Sequence, residues 1–293
     1  MRVLITGGAG HLGVSVCKAF LRDGFQVRVL DVRSQETAKR VQEIGCDAEI
    51  FWGDITCPDS VSEAMKAVDA VVHMAAILPP VANERPDLAA RVNVGGTSTI
   101  VRLLKEKGGH IPFVFTSSVA VFGPCPDADS PISPDRHEPH PKGPYAETKY
   151  QAENLIKEAG IDYAVLRLTA TMYLVFSAKD LKRMYSVPLD NRIEFCHPDD
   201  TAAAILNAVR HFEAVKGRTL VIAGGPHQRM LYRDMIRRIL GVMGLPVPPA
   251  RKFTQEPYYL DWYDTSQSQD LLSYQRRSFE DYLKDYSRQL SRR

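Results

Sequence analysis

The sequence predicts an α/β fold, a doubly wound parallel sheet followed by a small C-terminal lobe. Three observations carry this. Short apolar, β-rich runs alternate with helical patterns through the first half of the chain, the mark of parallel βαβ units. The first run leads straight into a glycine-rich loop and then a helical stretch. Beyond Leu168 the alternation becomes irregular, as expected of an appended lobe.

The elements follow in order. Arg2 to Ile5 is mostly apolar, as a strand covered on both faces should be. Gln26 to Leu30, Ala48 to Trp52, Ala70 to Met74, Ile111 to Thr116 and Tyr163 to Leu168 give five more strands. Val14 to Arg22, Leu88 to Lys107 and Tyr145 to Ala159 read as helices between them. Residues Pro124 to Pro144, rich in Pro, Asp and Ser, form a long surface loop that ends at Tyr145. Later, Thr201 to His211 is a helix with Asp199 or Asp200 as its N-cap. Arg218 to Ala223 is a returning strand, Leu231 to Met243 an amphipathic helix and Phe279 to Leu290 a polar one. Residues 1–170 are thus assigned to a Rossmann-type nucleotide-binding domain, with further sheet elements from about 190–225, and residues 171–293 mainly to a small substrate-binding lobe.

The loop Thr6-Gly7-Gly8-Ala9-Gly10-His11-Leu12-Gly13 lies between a strand and a helix, the context in which such glycines bind a dinucleotide. Gly7 allows the tight turn, Gly10 lets the backbone approach a pyrophosphate, and Gly13 permits close helix packing. The helix N-terminus, at His11 and Leu12, then faces the phosphates. Asp31 ends the second strand, where a carboxylate binds the adenosine ribose and repels a 2′-phosphate. NAD is therefore the expected cofactor, with NADP possible because Arg33 can offset that charge. Asp54, followed by Ile55, can reach the adenine or simply shape a turn before Pro58. Tyr145 and Lys149 are four apart, so they share a helix face. An ammonium beside a phenol favours the phenolate, suiting the tyrosine to acid/base work.

With 293 residues, 44% hydrophobic and 25% charged, the composition is that of an ordinary globular protein. A net charge of +2 points to no nucleic-acid surface. Cys17, Cys46, Cys57, Cys125 and Cys196 are scattered, odd in number and without metal-ligand spacing, so neither a disulfide framework nor a metal is expected. That fits a reducing cytoplasm. No apolar run approaches a membrane span, and the first strand begins too early for an uncleaved targeting peptide.

Taken together, these motifs resemble the extended short-chain dehydrogenase/reductase superfamily, specifically its NAD-dependent epimerase/dehydratase family. The resemblance rests on Thr6 to Gly13, His73-Met74-Ala75-Ala76, Asn93-Val94-Gly95-Gly96-Thr97, Ser117 to Gly123 and the Tyr145/Lys149 pair with Ala152-Glu153 beyond it. It implies that Tyr145 is the general acid/base, that Lys149 lowers its pKa and binds the nicotinamide ribose, and that Ser118 holds the reacting oxygen. Asn93 would support the helix presenting Lys149. Ala75 and Ala76 would border the cofactor, and Thr169, Met172, Arg183 and Arg192 the substrate. His73 is given no chemistry.

The resemblance also orders the reactions. Dehydration is disfavoured, because Val119-Ala120 stand where an acidic pair would follow the serine. Epimerisation of a sugar or nucleotide-sugar comes first. Oxidation or reduction of a smaller hydroxy or keto substrate is the alternative, favoured by a short lobe of only 24 residues between Met172 and His197. A non-catalytic NAD(P)-sensing protein is a minor alternative. A homodimer through Leu88 to Lys107 and Tyr145 to Ala159 is expected from the same resemblance.

Overall fold

The computed structural model describes residues 1–125, 131–172 and 184–291. In chain order its strands are β1 (Arg2–Thr6), β2 (Gln26–Asp31), β3 (Glu49–Trp52), β4 (Ala70–His73), β5 (Phe113–Ser118), β6 (Tyr163–Leu168), β7 (Ala170–Thr171), β8 (Arg192–Cys196), β9 (Thr219–Ile222) and β10 (Arg229–Leu231). The longer helices are α1 (His11–Arg22), α2 (Gln35–Ile44), α3 (Pro58–Ala64), α4 (Thr97–Glu106), α5 (Pro144–Glu158), α6 (Pro198–Arg210), α7 (Tyr232–Val242), α8 (Ser266–Leu272) and α9 (Phe279–Leu290).

One sheet of seven strands runs in the order β3-β2-β1-β4-β5-β6-β9, every neighbour parallel. Helices cover both faces, which is why β4 and β5 are buried along their whole length. Alternation divides each strand between two cores. Val3 and Ile5 of β1 join Val14, Phe20, Ile205 and Val209 of α1 and α6. Leu4 joins Val61, Ile100, Leu104 and Ile156 of α3, α4 and α5 on the other face. A third cluster unites Phe122, Ile193, Phe195, Ile236, Tyr263 and Tyr282 around the small sheet β10-β8-β7. Buried Glu194 anchors that cluster, accepting the N–H of Gly225 (2.7 Å) and Tyr263 (2.8 Å) and the Arg229 Nε–H (2.8 Å).

Two sequence expectations change. The helix expected from Leu88 to Lys107 is interrupted, since Ala90–Gly96 is wound as a π-helix between the turn Pro86–Ala89 and α4. Gly96 permits this contact with the neighbouring loop, because a Cβ there would lie 2.4 Å from Ile55 Cδ1. The cap of α6 is His197, whose Nδ1 accepts the Asp199 N–H at 3.1 Å. Pro198 at the first helical position sets that register. Asp200 instead is buried and accepts the backbone N–H groups of Arg276 (3.1 Å) and Arg277 (2.9 Å). Among the described residues no helix is long and apolar enough to cross a membrane, and no group of three or more metal-binding side chains gathers.

Candidate active site

The strand order reverses between β1 and β4, and the crevice there, at the carboxyl ends of the strands, is where such sheets bind ligands. Gly7 leaves β1 with φ +73°, and a Cβ on it would sit 2.7 Å from the Ala75 nitrogen. A Cβ on Gly13 would lie 2.3 Å from the Gly7 carbonyl oxygen. The loop can therefore close only around glycines. Gly10 caps α1 without a side chain, and no acidic residue stands in the first turn. The N–H groups at His11, Leu12 and Gly13 and the positive end of the helix dipole thus suit a pyrophosphate.

Asp31, at the end of β2, accepts the Ala9 N–H (2.9 Å) and the Val32 N–H (2.8 Å), which fixes the carboxylate against the glycine loop. Burial holds its pKa above the usual carboxylate range. The cation acting on it is Arg40 of α2, which also meets the His11 ring at 3.1 Å. Arg33, expected to offset the charge of Asp31 toward a 2′-phosphate, is exposed, and α2 brings a second cation, Arg40, toward Asp31. Asp54 is exposed and gives one oxygen to Thr56, bonding its N–H and its hydroxyl at 2.8 Å each, while Ile55 is buried. Replacing Asp31 with Ala is expected to shift the NADP/NAD affinity ratio toward NADP by about tenfold, on the scale of one charge–phosphate contact. Titrating the variant with both cofactors checks this, and an unchanged ratio refutes it.

Ser118 ends β5 and Tyr145 lies in the first turn of α5, where the Ser118 hydroxyl favours the ionised phenol. Ser118 Oγ also accepts the Ala120 N–H at 3.1 Å, so it caps the following 3-10 turn as well. Lys149 is 3% exposed, with Nζ 4.3 Å from the centre of the Phe115 ring. The electrostatics depart from the sequence expectation. Burial pushes the Tyr145 phenol up to about 12, only partly opposed by Ser118. Burial draws the Lys149 ammonium down to about 7, against the charge of Glu153. Desolvation disfavours both charged forms and outweighs any mutual help between them. Tyr145 therefore holds its proton at neutral pH.

His73 is fully buried at the end of β4. Thr97 Oγ1 spends its proton on the Asn93 carbonyl (2.6 Å), so the ring's Nε2–H donates to Thr97 (2.9 Å) and Nδ1 accepts from Thr6 (2.7 Å). Burial, aided by Lys149, lowers its pKa from 6.5 to about 3. The unfolded chain takes up this proton below about pH 6.5 and the folded chain only near 3. Stability from this group is complete above 6.5 and is lost as pH falls toward 3. The expected result is a flatter stability–pH slope in His73→Asn than in the wild type across that window, measured by urea unfolding; equal slopes would count against it.

The substrate side differs more from expectation. Thr169 donates its hydroxyl to the Glu194 carbonyl (2.6 Å), joining β6 to β8. Met172 packs on the third cluster, and Phe195 is buried in it. Arg192 is engaged by Asp261 at 2.8 Å and lies over the Trp262 ring. Arg183 lies outside the described residues. Tyr258 and Tyr259, with ring centres 4.4 Å apart, come from the C-terminal region, and burial, with Tyr258 and Tyr145 adding to it, holds the Tyr259 phenol well above its ordinary value. Nothing in the sequence tied these residues to Tyr145, more than a hundred positions away.

A glycine-lined crevice at the switch point, with a Tyr–Ser–Lys group on its rim, defines a dinucleotide-binding α/β protein of the short-chain dehydrogenase/reductase type. The chain belongs to the NAD-dependent epimerase/dehydratase family, whose model matches residues 3–223. It is similar to a 4-hydroxy-2-methyl-3-oxo-4-farnesyl-3,4-dihydroquinoline-1-oxide ketoreductase of Stigmatella aurantiaca, 33% identical over 162 residues (54% of this chain, 46% of that one). It is also similar to the UDP-glucose 4-epimerase of Bacillus subtilis, 32% identical over 170 residues (54% of this chain, 48% of that one). The chain spans about half the length of these curated relatives. Its fold matches a solved UDP-glucuronic acid 4-epimerase from Bacillus cereus in complex with UDP-glucuronic acid and NAD, with a TM-score of 0.83 at 23% identity, covering 99% of this chain and 100% of that one.

Proposed function

We propose that this chain is an NAD-dependent enzyme that interconverts a secondary alcohol and a ketone, with Tyr145 as the acid/base. The observation that carries the reading is a glycine-lined crevice at the strand ends, with Ser118 closing β5 and Tyr145 and Lys149 in the first turns of α5. Bound NAD(H) supplies the hydride chemistry. Tyr145 gives its proton to the carbonyl oxygen or recovers it from the hydroxyl, and Ser118 hydrogen-bonds that oxygen as charge develops. Lys149 holds the nicotinamide ribose. Gly7, Gly10 and Gly13 admit the pyrophosphate, Asp31 reads the adenosine ribose, and Ala75 and Ala76 line the cofactor side.

Epimerisation of a sugar or nucleotide-sugar is the first reading, supported by the Bacillus subtilis relative. Reduction of a smaller ketone is favoured by one observation: Arg192, a candidate for a diphosphate, is committed to Asp261. The test is to denature the protein as purified and assay the supernatant for NAD(H) and NADP(H). Near-stoichiometric nicotinamide supports an epimerase that regenerates its own cofactor. Empty protein that binds added NAD reversibly supports the reductase. Protein that neither holds nor binds a nicotinamide cofactor defeats both readings.

A further inference from the structure

One hydrogen-bond chain links the glycine loop to the helix carrying Tyr145 and Lys149. It starts at Thr6, whose Oγ1 accepts the N–H groups of Met74 and Ala75, each at 3.2 Å. It passes through the His73 ring to Thr97 and on to the Asn93 carbonyl. The Asn93 side chain then forks. Its Oδ1 accepts the Ile77 N–H at 2.7 Å, and its Nδ2 donates to the Ile77 carbonyl at 3.1 Å and to Thr148 Oγ1 at 3.0 Å. Thr148 in turn donates its own proton to the Tyr145 carbonyl at 2.9 Å. Asn93 is 2% exposed and Thr148 5%, so bulk water does not compete.

This arrangement leaves little freedom. The Asn93 amide has one proton for Ile77 and one for Thr148, and the Thr148 hydroxyl has one proton, already given to Tyr145. Thr148 therefore receives from Asn93 and gives to Tyr145, and it is the point where the chain enters α5. At the other end, Ala75 packs directly against Gly7, at the wall of the dinucleotide crevice.

We propose that Thr148 is a positioning residue for the proton-transfer pair. Through Asn93 it ties residues 74–77, on the crevice wall, to the first turn of α5, so that occupancy of the crevice and alignment of Tyr145 and Lys149 are coupled. The inference rests on the dinucleotide reading of that crevice. A threonine that merely fills space would be replaced without loss by valine, which has the same shape and lacks only the hydroxyl.

The experiment compares the wild type with Thr148→Val and Thr148→Ser. NAD binding is measured by calorimetry, and the Lys149 side-chain nitrogen is followed by 15N NMR. Thr148→Val strands the buried Asn93 N–H and is expected to weaken NAD about tenfold. It should also move the Lys149 resonance, and Thr148→Ser should restore both. If the valine variant fails to fold, Thr148→Ala, which removes the same acceptor without adding charge, should give the same two changes. Wild-type NAD affinity together with an unmoved Lys149 resonance in Thr148→Val overturns the proposal, as does a serine variant that rescues neither. A wild type that binds no NAD overturns the dinucleotide reading itself and this inference with it.

Discussion

Tyr145→Phe is expected to bind NAD like the wild type while turnover falls by about 10² or more. The substitution keeps the ring and removes only the hydroxyl, so the packing of α5 is preserved. What disappears is a phenol that burial pushes up to about 12, partly opposed by Ser118. Ser118 Oγ is held by the Ala120 N–H it accepts, which fixes it at the end of β5. Lys149, drawn down to about 7, can carry a proton but lies over the Phe115 ring. The check is NADH consumption with a panel of ketones, or single-turnover hydride transfer, in both proteins. Equal rates would remove Tyr145 from the chemistry.

The largest expected effect on stability comes from Glu153→Ala. Glu153 is completely buried and meets Arg167 through two bonds, at 3.0 and 2.8 Å, with Lys157 at 3.2 Å. Burial raises its pKa, but Arg167, with Ser117 and Lys157, more than compensates and holds the carboxyl below the usual range. Arg167 is only 3% exposed, so alanine leaves a buried guanidinium without its partner. Such a loss costs about 3–5 kcal/mol. Because Glu153 supports the Lys149 ammonium, the variant should also titrate Lys149 at lower pH. Urea unfolding gives the first number. A loss below about 1 kcal/mol would mean that Arg167 finds another partner or water.

Much of the fold was readable from local signals. Tyr163–Leu168 and Phe279–Leu290 form where the apolar pattern places them, and the glycine loop stands between β1 and α1 as its spacing requires. Ser118 and Tyr145 both occupy ordered motifs, at the end of β5 and in the first turn of α5. What could not be read depends on contacts between distant segments. Asn93 and Thr148 are 55 positions apart, and Arg192 and Asp261 are 69 apart. The effect of burial on Tyr145 and Lys149 is beyond local sequence for a related reason. Sequence spacing reports that two groups share a helix face, but the degree of burial that decides their pKa values is set by β5 and the C-terminal segments packed around them.

The π-helical turn Ala90–Gly96 has a consequence for how this region tolerates changes in length. A helix wound this way holds one more residue than the α register needs. Deleting a single residue there would let the turn relax to α geometry and leave the later side chains of α4 on the faces they now occupy. Adding one would turn every later side chain by about 100°, taking Ile100 and Leu104 off the sheet and bringing neighbouring polar positions of α4 toward it. Length changes within residues 90–96 should therefore be asymmetric, with a one-residue loss tolerated by α4 and a one-residue gain not.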